Sequence, residues 1–188
     1  CTTIWMPLGG LSTEAFRMTL NTFNTVFPNV SIYYLHNRWT HYVLLVGRNA
    51  APRLSVSRVR RQLSEVDVRE DMAEIGMTDP YKVIATFLTS GSRLQGAIRS
   101  LPLNTEDMPR LEFDVPRFDM GPWSAQQNLN FLRLSRAPMS DVLSPETTEQ
   151  EFAAVGRYQQ AAEFIMAAQA SARAFSFEDA TYRYLAAQ

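Results

Sequence analysis

The 188-residue chain reads as an α/β protein that ends in a helical extension, on three observations. Strand-like and helix-like patterns alternate over the first fifty residues. Two of the strand-like runs lie only a short polar break apart, which predicts an antiparallel pair at one edge of an otherwise parallel sheet. From residue 144 the pattern turns to a long, alanine-rich helix.

Each element has its own warrant. CTTIWMPL opens with Thr2, Thr3, Ile4 and Trp5, residues that favour the pleated state. GGLS then turns the chain into a helix that Ser12 or Thr13 caps, with Glu14 near its positive end. Phe16, Leu20, Phe23 and Phe27 fall on one face, and Pro28 ends the helix at about 27. VSIYYLH (30–36) and HYVLLVGRN (41–49) are strands around the break NRWT, and the unalternating VLLV predicts cover on both faces. Ser55 or Ser57 starts a helix with Val56, Val59, Leu63 and Val66 inward and Arg58, Arg60 and Arg61 in solvent. Val68, Met72 and Ile75 mark a short helix stopped by Gly76. Thr78-Asp79-Pro80 starts another, with Val83, Ile84, Phe87 and Leu88 buried and Gly91 as its stop. A weaker helix follows. FDMGPW is a linker, and 123–135 is predicted helical. Ser144-Pro145 opens the long helix to about 173, with Thr147 and Gln150 as a capping box.

Composition limits the function. Hydrophobic residues make up 46% and charged residues 20%, ordinary for one globular domain with an appendage. The net charge of -1 gives the chain as a whole no pull toward nucleic acid. No apolar run in the sequence approaches the length of a membrane helix, roughly 20 residues. Both ends look interrupted, so a piece of a longer protein is expected. His36 and His41 flank NRWT without a third suitable ligand beside them, and no metal site is assigned.

Three words then coincide with a family. IWMPLGGLSTEAFRMTLNTFNTVFPNVSIYY, YVLLVGRN and LNTEDMPRLEFDVPR, in that order, resemble the C-terminal half of spermidine synthase-like proteins, the polyamine aminopropyltransferases. The likeness is to the membrane-associated, transporter-fused branch. It implies that 1–117 is the C-terminal part of a Rossmann-type, methyltransferase-like sheet with an antiparallel edge hairpin; the residues beyond it read as a linker with a short helix over 118–143 and a helical tail over 144–188. GRYQQAAEFIMAAQASARAFSFEDATYRYLAA resembles one tetratricopeptide-type hairpin, with Gly156, Tyr158, Ala161, Ala172 and Tyr182 near that repeat's small and aromatic positions. Such a tail is a candidate surface for a protein partner.

The resemblance also implies an activity and removes most of its machinery. The family moves an aminopropyl group from decarboxylated S-adenosylmethionine to a polyamine amine, in the cytoplasm or tethered to the inner membrane by a transporter-like region. Its glycine loop, ribose-binding acid and catalytic aspartate follow the first, second and fourth strands, and this chain begins at the fifth. No G-x-G-x-x-G occurs; the one glycine pair is Gly9-Gly10. No catalytic residue is therefore assigned here, and the segment alone is expected to be inactive. Four residues are substrate-binding candidates. Trp5 lies where the first strand ends, and ligands of doubly wound sheets sit outside carboxyl strand ends. Asn104, Glu106 and Asp107 lie in NTEDMPRLEFDVPR (104–117), where carboxylates suit cationic amines. The competing reading of that stretch is a strap that closes the domain, with Leu111, Phe113 and Val115 alternating as a short strand. Two other functions stand beside the transferase: a non-enzymatic helical scaffold, and an N-terminal-cysteine hydrolase built on Cys1, which would need two long antiparallel sheets. Exposed apolar surface on such a segment predicts a homo-oligomer.

Overall fold

The computed structural model describes residues 1–35, 42–51, 53–114 and 123–173. Strand β1 (Thr2–Pro7) leads into helix α1 (Thr13–Val26), then β2 (Asn29–Tyr33) and β3 (Tyr42–Arg48). Helices α2 (Val56–Ser64), α3 (Val66–Glu74) and α4 (Pro80–Ala85) follow, then β4 (Phe87–Ser90), α5 (Gly91–Ile98) and α6 (Arg110–Asp114). Helix α7 (Trp123–Leu134) and the long α8 (Glu149–Arg173) complete the described chain. No described helix is long and apolar enough to cross a membrane.

The described strands form one sheet in the order β1-β3-β2-β4, and each pair of neighbours among them is antiparallel. β1 and β2 therefore point the same way, with β3 reversed between them. The antiparallel β2/β3 pair is present, but it is not at an edge, and no two described neighbours are parallel. The reason lies in the crossover and in the third strand. Helix α1 carries the chain past one strand position, and β3 fills the slot. Its Val43 and Leu45 are fully buried and Val46 is 5% exposed, so an interior place suits it. The expected helix over Val83–Leu88 also needs correction. α4 stops at Ala85, and Phe87–Ser90 instead pairs with β2 through Tyr33↔Phe87 and Ile32↔Thr89. Gly91 has a φ of 60°. It turns the chain from that strand into α5 rather than ending a helix.

Helices cover both faces of the sheet. On the first face, Phe16 and Leu20 of α1, Leu94 and Ile98 of α5, and Leu129 and Leu132 of α7 pack against Met6, Ile32 and Leu45. Ser12 caps α1 through its Oγ, which accepts from Ala15 N at 3.0 Å, as its position before the apolar stripe predicts. On the second face, Val56 of α2 and Ile84 of α4 join Phe87, Met139 and Val142 in a smaller core. Asp79 Oδ1 accepts from Tyr81 N at 2.8 Å, capping α4 as expected.

Helix α8 belongs to both cores: Val155 packs in the second and Met166 in the first. It passes the β4 side of the sheet, where Ala137 N donates to Leu88 O at 2.9 Å. Its first residue is Glu149, beyond the expected Ser144-Pro145. The capping box is Thr148 with Glu151, not Thr147 with Gln150. Glu151 N donates to Thr148 Oγ1, and Thr148 N to Glu151 Oε2, both at 3.2 Å. The expected tetratricopeptide hairpin needs a second helix over 174–188, which lies outside the described residues. His36 and His41 lie outside them as well.

Candidate functional site

One concave surface stands out on the second face of the sheet. Along each strand, side chains alternate between faces. Met6 and Ile4 of β1 point into the first core, so Trp5 points the other way and is 61% exposed. Tyr42, Leu44, Val46 and Arg48 of β3 and Tyr33 of β2 share that side. Together they floor a groove of about 380 Å³. Val59 of α2, Met72 of α3, Ile75 just past its end, and Val83 of α4 wall it.

The roof corrects an expectation. The apolar spacing marks a short helix by Val68, Met72 and Ile75 and makes Val66 the last inward residue of α2. The chain instead breaks at Glu65, whose extended backbone separates α2 from α3. Val66 then opens α3 at 55% exposure, and no residue of α3 is buried. Met72 and Ile75 face the groove.

The groove is mostly apolar, with polar groups on Arg48, Tyr33, Tyr42, Thr86 and the Trp5 indole. Arg48 Nε is buried and has no hydrogen-bond partner. A buried donor left unpaired costs about 1–3 kcal/mol, so its tolerance at this position asks for a reason. No aspartate or glutamate is among the described residues that line the groove. Burial pushes the Tyr33 phenol above its ordinary pKa, while the neighbouring Arg48 charge pulls the other way. The phenol stays protonated at neutral pH.

The other three candidates lie elsewhere. Asn104 N donates to Thr22 Oγ1 of α1 at 2.9 Å, which places it on the first-face side, across the sheet from Trp5. Asn104 Oδ1 accepts from Leu111 N at 2.9 Å and so holds the start of α6. Thr105 and Met108 close a tight turn by exchanging backbone hydrogen bonds at 3.3 and 3.1 Å. Glu106 and Asp107 sit exposed at its tip. Residues 110–114 are a short helix rather than the expected alternating strand. Pro109 sets its entry and Asn104 caps it, so local turn chemistry overrides the alternation. Val115 lies outside the described residues. The segment therefore straps the domain, and the structure does not bring Trp5, Asn104, Glu106 and Asp107 into one site.

A second polar device covers the loop after β1. Gly10, at a φ of 81°, donates its N–H to Ser124 Oγ of α7 at 3.2 Å. Asn128 of α7 is fully buried, and its Nδ2 donates to Leu8 O and Leu11 O at 2.8 and 3.0 Å. Helix α7 thus caps the carboxyl end of β1, the place where a doubly wound sheet would receive a ligand.

Cys1 is exposed ahead of β1, and the described strands form one sheet rather than the two that an N-terminal-cysteine hydrolase needs. No cluster of described histidine, cysteine, aspartate and glutamate side chains has the makings of a metal site. No family model, no curated protein and no solved structure matches the chain. Reading the sequence missed Arg48, Met72 and Ile75 as groove residues. The row Tyr42, Leu44, Val46, Arg48 carried the signal. At a period of two, it sets three apolar or aromatic positions and then a cation on one face of a strand.

Proposed function

We propose that this chain is the carboxy-terminal share of a spermidine synthase-like domain of Rossmann type, and that its contribution to that domain is architectural. The observation that carries this reading is the strand order: β1 and β2 run in one direction, α1 connects them, and β3 is reversed between them. An antiparallel strand inserted near the end of a methyltransferase-like sheet has that arrangement. The outer edge of β1 pairs with no described strand, and further strands of a larger sheet would add there.

The reaction defines what these residues do not supply. A polyamine nitrogen, protonated at neutral pH, must first give its proton to a carboxylate within hydrogen-bond reach. The free amine then attacks the carbon bonded to the sulfonium; the N–C bond forms, the S–C bond breaks, and sulfur keeps the electron pair. The groove on the second face offers an arginine and no described carboxylate, which is the wrong sign for a cationic amine. The sequence holds no G-x-G-x-x-G loop to approach the nucleoside of the donor. The donor site and the base therefore belong to residues other than these.

The test is an aminopropyl-transfer assay on the complete gene product beside these 188 residues alone. The expected result is transfer by the former and none by the latter. A complete product with no glycine loop, no acidic residue after a second strand and no transfer activity would overturn the reading and leave a scaffold.

A further inference from the structure

The groove on the second face has the chemistry of a small-molecule site of its own. We propose that it binds an amphipathic carboxylate, with the acid on Arg48 and the apolar chain between the floor of β1 and β3 and the roof of α3. This inference does not rest on the aminopropyltransferase reading.

Three observations carry it. First, Arg48 lines a groove with no described carboxylate to neutralise it, and its buried Nε has no hydrogen-bond partner. A carboxylate in the groove would supply the missing counter-charge, and charge-assisted bonds of this kind are the stronger ones. The protonated Tyr33 phenol lines the same groove and offers a second donor. Second, Met72 and Ile75 face the groove, although α3 buries no residue of its own. An alkyl chain lying there would remove them from water, together with Trp5 and Leu44. Third, the groove encloses about 380 Å³. That falls within the range of ligand pockets, which are mostly apolar with a few placed polar groups. The same observations argue against other ligands. A polyamine would set its ammonium groups against Arg48, and a neutral lipid would leave the Arg48 charge without a counter-ion.

The experiment is isothermal titration calorimetry of the whole chain with decanoate and with 1-decanol, below the micelle threshold and at pH 8. The expected result is saturable one-to-one binding of decanoate, at least about tenfold tighter than decanol, as one charge-assisted hydrogen bond allows. Arg48→Met should erase that preference while leaving decanol binding in place, and Arg48→Lys should keep part of it. Ile75→Asp changes a residue already 44% exposed, so the fold should tolerate it, and it should abolish binding of both ligands. Absence of saturable binding overturns the proposal. So does equal affinity for acid and alcohol, or decanoate binding that survives Ile75→Asp. A groove filled by a second copy of the chain would give no decanoate binding and a dimer that Ile75→Asp dissociates, and that also overturns it.

Discussion

At the scale of single residues, two positions bear on how the sheet is held. Gly47 lies on β3 beneath α1, and a Cβ there would stand 2.4 Å from Phe27 Cγ, 2.6 Å from Phe27 Cδ2 and 3.0 Å from Phe23 Cζ. Gly47→Ala should therefore cost about 1–3 kcal/mol by overpacking, read as a lowered urea midpoint. In a Phe27→Leu background that cost should shrink, because the obstructing ring is gone; equal costs in both backgrounds would refute the contact. Asn128 is the second position, through its bonds to Leu8 O and Leu11 O. Asn128→Leu removes that donor and should destabilise by about 1–3 kcal/mol in the same measurement. Neither role shows in the sequence. A glycine within VLLVG and an asparagine within a helical run acquire meaning only from partners far along the chain.

At the scale of elements, the two ends of α1 and the start of α4 were readable, because caps and prolines act within a few residues. Elsewhere the reading failed, for reasons that differ. FLTS continued a helical apolar face, yet β2 offered it a hydrogen-bonded place in the sheet, and pairing outweighed periodicity. The apolar stripe of α3 was legible as a stripe, but not that it would roof a groove rather than fill a core. The start of α8 was ambiguous because Thr147-Thr148-Glu149-Gln150-Glu151 holds two overlapping capping boxes. Thr148→Ala should cost about 1 kcal/mol of stability in urea denaturation, whereas Thr147→Ala should cost less. The box also sets a pH dependence. The hydrogen bond from Thr148 N holds the Glu151 carboxyl below its ordinary pKa, and Arg60 adds to the effect. A group with a depressed folded pKa binds fewer protons folded than unfolded. Its stabilising contribution is present above the ordinary glutamate value of about 4.3 and is lost as pH falls through the folded pKa. Denaturation midpoints between pH 6 and 3 should show this loss in the natural chain and less of it in Glu151→Gln.

At the scale of the whole molecule, the two sheet edges differ. The β4 side is covered by Ala137 and α8, whereas β1 pairs with no described strand beyond its outer edge and carries exposed Thr3 and Trp5. Unpaired edges invite association, so the chain should elute larger than a monomer in size-exclusion chromatography. Thr3→Lys, a charge on that edge, should shift it toward monomer without changing its circular dichroism. A natural chain that already runs as a monomer would refute the prediction. The alternation of strands and helices was legible from the first fifty residues. The sheet order was not, because antiparallel neighbours are set by which slot the third strand enters. Helix α8, seated in both cores, has a consequence for folding: it acts as a rivet through two layers that would otherwise open separately. Amide exchange should then show both sides of the sheet giving way in a single cooperative event, with Met166→Ala speeding exchange on the far side as well as the near one.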